Sequence, residues 1–161
     1  MRYPAKETAA RHERILKEAS RLFRKRGFES VTVGEVMKGA GLTHGAFYAH
    51  FGSKQELQEA AVAYGQGLSA RPARSYGATK KGRNEYVDRY LSPRHRDNPG
   101  EGCTMAALAQ EVARSSPELK AAFERGFEEI LSQLGGVVLA RAVQGPRLSD
   151  EILETVRQKV S

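Results

Sequence analysis

The chain has 161 residues, with 26 Lys/Arg against 19 Asp/Glu, a net charge of +7 and a pI near 9.7. At 40% hydrophobic and 28% charged it has the make-up of a soluble globular protein, and no run of about 18 apolar residues marks a membrane span. One cysteine, Cys103, excludes an internal disulfide and is too little for a zinc site, and MRYPAKETAARHERIL lacks the apolar core of a secretory leader, so the expected setting is a reducing cytoplasm.

The charge is unevenly placed. Residues 1–52 hold ten Lys/Arg against five Asp/Glu, a net +5, and the remaining 109 hold sixteen against fourteen, a net +2. A basic head on a nearly neutral body points to a polyanion as partner, and a cationic solvated surface is the plain alternative.

In chain order, residues 8–26 carry Ala9, Ile15, Leu16, Ala19, Leu22 and Phe23 at the spacing of an amphipathic helix. Thr8 is the expected cap, Arg24, Lys25 and Arg26 suit the C-terminal end, Gly27 ends the helix and Phe28 returns to the core. Thr32 with Glu35 forms a capping-box pattern before Val33, Val36 and Met37. Gly39–Ala40–Gly41 breaks that helix, and Thr43 opens a short one running to about Phe51. Ser53 and Glu56 repeat the box before a long helix through Leu68. Residues 32–51 thus read as helix, glycine-containing turn, helix: a helix-turn-helix.

Residues 69–83 are rich in Gly, Ser, Pro and basic side chains and read as a linker. A short helix is expected over 84–91, a loop over 92–103, and a helix over 105–115. Pro117 starts another that carries Leu119, Ala122, Phe123, Phe127 and Ile130, and a last one begins at Ser149. Nothing reads as a strand, so the expected fold is all-α: a head over 1–52 and a helical body over 53–161. The chain has no G-x-S-x-G, P-loop or G-x-G-x-x-G, and Glu124, Glu128 and Glu129 read as a solvated face, so no enzyme and no cofactor are expected. His44 and His50 are six residues apart with no third ligand near, which is wrong for a metal.

The span GFESVTVGEVMKGAGLTHGAFYAHFGSKQEL, residues 27–57, resembles the DNA-binding signature of the TetR family of bacterial transcriptional regulators. Gly27–Phe28, Thr32, Ala40–Gly41, Phe47–Tyr48, Phe51 and Lys54 fill its positions. The match covers residues 8–60, and 89–123 resembles one subgroup more weakly. After Leu134 the chain departs from the family pattern, whose C-terminal portion is longer, and this leaves the shape of a ligand cavity open.

A helix that enters the major groove keeps one face in a core and offers small or polar side chains outward. Leu42, Ala46, Phe47 and Phe51 form the expected inner stripe. His44 and Gly45 are the expected base-edge contacts. Thr43, Tyr48, His50 and Lys54 are expected at phosphates, with Thr32 at its helix N-terminus, and Ala49 lies on the same outer side. The resemblance implies the same roles. Arg2 and Lys6 could form an arm toward the duplex.

The resemblance also implies a homodimer on a pseudo-palindromic operator in double-stranded DNA, released by a small-molecule inducer. Tyr64, Leu68, Tyr86, Tyr90, Cys103, Met105, Leu108, Phe123 and Phe127 could line its cavity, or could be ordinary core. Residues 135–143 and 149–160 are the expected dimer surface. A protein that coats DNA without sequence preference, or a redox sensor using Cys103 at a helix start, are the competing readings.

Overall fold

The computed structural model describes residues 5–76 and 79–126, together with 147, 148, 150, 151, 154 and 155. The described residues are helical or in turns. The chain divides into two compact units, Met1–Phe123 and Glu124–Ser161.

The first unit opens with α1, Ala5–Arg26. Ile15, Ala19 and Phe23, spaced by four, are its buried stripe, and Glu7 near the start and Arg24–Arg26 at the end match the helix dipole. The helix starts three residues ahead of Thr8, which therefore lies inside the first turns and is not a cap. Gly27 ends it at φ +80°, with its N–H donating to Phe23 O at 2.7 Å. Phe28 then folds its ring edgewise onto Phe23, with centroids 5.3 Å apart.

The helix α2, Val33–Gly39, carries the expected capping box: Thr32 Oγ1 accepts from Glu35 N, and Glu35 Oε2 accepts from Thr32 N at 2.8 Å. Its end is a Schellman motif. Gly41, at φ +70°, donates to Lys38 O at 3.1 Å, and Leu42 N donates to Met37 O at 2.9 Å. A 3-10 helix, His44–Ala49, follows. It is tighter than the ordinary helix expected to run to Phe51, and Thr43 precedes it without a side-chain capping bond. Ala46 N instead reaches Thr43 O at 3.1 Å, the i to i+3 pattern.

The helix α3, Lys54–Tyr76, is capped by Ser53, whose Oγ accepts from Glu56 N at 3.1 Å. The expected linker over 69–83 is corrected here. The helix continues through Pro72 to Tyr76, and α4, Lys80–Tyr90, begins behind Thr79, whose Oγ1 accepts from Gly82 N at 3.0 Å. Ala70, Arg71, Ala73 and Arg74 are good helix formers and outweigh the punctuation. The expected second loop also holds structure: α5, Pro93–Asp97, with Ser92 as cap and Pro93 in the first turn, and a 3-10 turn, Pro99–Glu101. The helix α6, Thr104–Val112, follows, and 117–123 are helical.

One apolar cluster spans this unit. Ile15, Phe23, Val36, Met37, Phe47, Phe51 and Leu57 meet Leu108, Val112 and Leu119 in it. In the second unit 124–126 are helical, and Arg147 Nε donates to Glu151 Oε1 at 3.1 Å. Phe127 and the expected dimer stretch over 135–143 lie outside the described residues, as do Ser149 and most of 149–160.

Candidate nucleic-acid interface

The 3-10 helix is held by two phenylalanines. Phe47 and Phe51 are 2% and 3% exposed, with rings stacked at 5.8 Å, and Leu42 and Ala46 pack beside them. The inner stripe is thus the expected one. On the opposite side Thr43, His44, Gly45, Tyr48 and Ala49 are exposed, Tyr48 at 71%. An exposed tyrosine on a short helix, with no partner for its hydroxyl among the described residues, is placed to meet something outside. Its ring leans edgewise on Phe47 at 5.3 Å, which fixes its direction.

A Cβ added at Gly45 would meet no atom within 4 Å. The fold therefore does not require glycine there, and the missing side chain leaves the outer surface flat. His44 stands beside Tyr48, 6.5 Å between ring centroids. Lys54 is half-buried at the first turn of α3.

Two expected contacts are more engaged than the sequence suggested. His50 is half-buried beside His12, 5.7 Å between rings, and His12 stacks on Phe51 at 4.8 Å. Burial, with the nearby charges of His12 and Arg11, lowers the His50 pKa. The Thr32 hydroxyl donates to Glu35 Oε2 at 2.9 Å, and its N–H goes to the same oxygen. Those two bonds and the Arg26 guanidinium, 2.9 Å from Glu35 Oε1, hold the Glu35 carboxyl down at about 2. A phosphate at Thr32 has to compete with that carboxylate.

A cavity of about 550 Å³ lies between α1, α4 and the segment 92–103. Of the expected lining, Leu68, Tyr86, Tyr90 and Cys103 contribute. Tyr64, Met105, Leu108 and Phe123 do not: Leu108 is in the core, and Phe123 packs on it while its carbonyl accepts from Gln66 Nε2 at 2.8 Å. Sequence reasoning missed Arg24, Arg89, Arg94 and His95, which also line the cavity. It looked for an apolar wall and gave Arg24 only a dipole role. The one available signal was its i+4 relation to Ser20 beside the apolar stripe, a poor place for a solvated arginine.

Arg24 is 9% exposed. Its Nε and Nη2 donate to Gly100 O at 3.1 and 2.6 Å, and Nη1 reaches Ser20 and Thr104. His95 links the ends of two helices: Nε2 accepts from Cys103 N at 3.0 Å, so Nδ1 carries the proton and donates to Tyr90 O at 2.8 Å.

The family model described as bacterial regulatory proteins, tetR family, matches residues 15–61. An uncharacterized HTH-type transcriptional regulator of Bacillus subtilis, YerO, is 46% identical over 57 residues, 35% of this chain and 20% of that protein. The HTH-type transcriptional regulator AcrR of Shigella flexneri is 43% identical over 51 residues, 32% and 24% of the two chains. The alignments thus span about a quarter or less of these relatives' lengths. The crystal structure of a TetR family transcriptional regulator from Cytophaga hutchinsonii shares the fold, with a TM-score of 0.59 over 99% of this chain and 96% of that one, at 16% identity. Residues 15–61, with the signature residues set in a helix-turn-helix, thus match the DNA-binding region of the TetR family of bacterial regulatory proteins, and the fold of the chain is that of a solved TetR family regulator.

Proposed function

We propose that the chain is a transcriptional repressor that binds a pseudo-palindromic operator as a homodimer and lets go when a small molecule fills its body. The reading is carried by one observation: Phe47 and Phe51 are buried while Tyr48, on the same short helix, is 71% exposed beside His44 and the unobstructed Gly45. His44 and Gly45 read base edges in this arrangement. Thr43, Tyr48, His50 and Lys54 hold phosphates, Thr32 adds a contact at its helix end, and Ala49 clears the flank. Residues 1–52 act as the reading head and 53–161 as the body. The second copy supplies the other half-site, about 34–36 Å away on the duplex. Double-stranded DNA is the partner and the cytoplasm the setting; among the described residues no helix is long and apolar enough to cross a membrane.

The test is selection of DNA from a random pool, followed by titration at several salt concentrations. Tyr48→Ala and Lys54→Ala weaken binding to selected and random duplexes alike. Losing the cationic Lys54 contact lowers the salt slope by about 1, whereas losing the uncharged Tyr48 contact leaves the slope nearly unchanged. His44→Ala instead changes base preference at one or two positions, by about 1–3 kcal/mol. Equal affinity for selected and random DNA makes the protein a coating factor and overturns the repressor reading.

A further inference from the structure

The lining of the cavity has the wrong chemistry for a purely apolar ligand. Among the described residues three arginines, Arg24, Arg89 and Arg94, face it with a single carboxylate, Glu101, a surplus of two positive charges. Among the described residues none of the three has a carboxylate within ion-pair distance. The buried Arg24 is the telling one. Its hydrogen bonds among the described residues go to neutral oxygens, those of Gly100, Ser20 and Thr104, and burial lowers its pKa, with Glu101 acting against that from a distance. A guanidinium taken out of water without a bonded anion is costly and is stabilised by one that arrives.

The wall next to these charges is flat. The rings of Tyr86 and Tyr90 lie 5.8 Å apart, and that of His95 lies 4.5 Å from Tyr90. Burial raises both tyrosines, Tyr90 to about 12 with help from its bond to Cys103, so their hydroxyls stay neutral hydrogen-bonding groups at physiological pH. The size suits a small organic molecule.

We propose that this cavity binds an organic carboxylate with a flat apolar body, its carboxylate between Arg24, Arg89 and Arg94 and its body on the rings of Tyr86, Tyr90 and His95. The proposal rests on the reading of the body as a ligand-binding region, and adds the charge and shape of the ligand.

Matched pairs of probes test it without DNA. Benzoate and 2-naphthoate are titrated against benzamide and 2-naphthamide, which keep the shape and lose the charge, with the intact chain and with melting temperature and calorimetry as readouts. At least one acid binds ten times or more tighter than its amide. Arg89→Gln and Arg94→Gln each weaken that acid several-fold without changing the weak amide binding. These two are used because Arg24 also ties α1 to Gly100, and its loss could unfold the protein. Amides that bind as well as acids, or acids indifferent to both substitutions, overturn the proposal. DNA affinity is measured separately. Selective acid binding with unchanged DNA affinity leaves this site standing and defeats ligand release, whereas normal operator binding with no preference for acids does the reverse.

Discussion

His50 shows how one side chain answers two demands. Its pKa is lowered by burial first, then by His12 and Arg11. The folded chain therefore favours the neutral ring, and the unfolded chain binds more protons just below the ordinary value of 6.5. The stability contributed is full above that value and is lost as pH falls through the depressed one. A phosphate beside the ring reverses the preference, because it favours the cation. DNA affinity at constant ionic strength is then expected to rise as pH drops from about 7.5 to 5.5, by at most about tenfold per pH unit for one proton. His50→Gln flattens the rise, and a wild-type profile indistinguishable from that variant's would remove His50 from the phosphate contacts. Glu35 follows the same pH direction, although here the fold favours the charged form. Its pKa of about 2 means that its contribution is present above 4.5 and lost as pH falls from there toward 2. Thr32→Ala removes the cap that holds it, and urea unfolding at pH 7 is expected to show a loss of about 1 kcal/mol.

At the scale of elements, a carboxylate on α6 holds the turn that ends α1. Glu111 Oε2 accepts from Phe28 N at 2.7 Å, just past the left-handed Gly27. A Cβ at Gly27 would fall on the Glu111 carboxylate, so the turn and its partner constrain each other. Glu111→Ala leaves the Phe28 N–H without that acceptor and is expected to cost about 1–3 kcal/mol in denaturant unfolding. A loss below a few tenths would mean that water replaces the bond. This link was illegible in the sequence, where the two residues are 83 positions apart and Glu111 reads as one more charge on a helix. The local signals were legible: the box at Thr32, the glycine stops at Gly27 and Gly41, the burial of Phe47 and Phe51. Each depends on neighbours within about five residues. Loop composition misled at 69–83, because helix propensity and the cap at Thr79 overrode the glycines and Pro72. The cavity was half-legible. Its aromatic wall follows helical spacing within α4, whereas Arg24 reaches it only through a tertiary contact with Gly100.

For the whole molecule the question is how an occupied body could alter a distant reading surface. Two physical links start at the cavity. Arg24 is part of α1 and grips Gly100 in the lining segment. The helix α6 begins beside Cys103 on the cavity and carries Glu111, which holds the backbone just after α1. On the proposed reading, a carboxylate that draws Arg24 or shifts Cys103 pulls on both ends of the connection between α1 and α6. Linkage makes this quantitative: if the acid weakens operator binding by some factor, the operator must weaken acid binding by the same factor, typically between about 5 and 150. Titrating 2-naphthoate with and without the selected duplex, and the duplex with and without the acid, gives two independent values of that factor. They are expected to agree. Glu111→Gln keeps an acceptor oxygen but loses its charge, so acid affinity in the absence of DNA is expected to hold while the factor shrinks toward one. A factor unchanged in that variant would take Glu111 out of the route and leave Arg24 as the carrier of the signal.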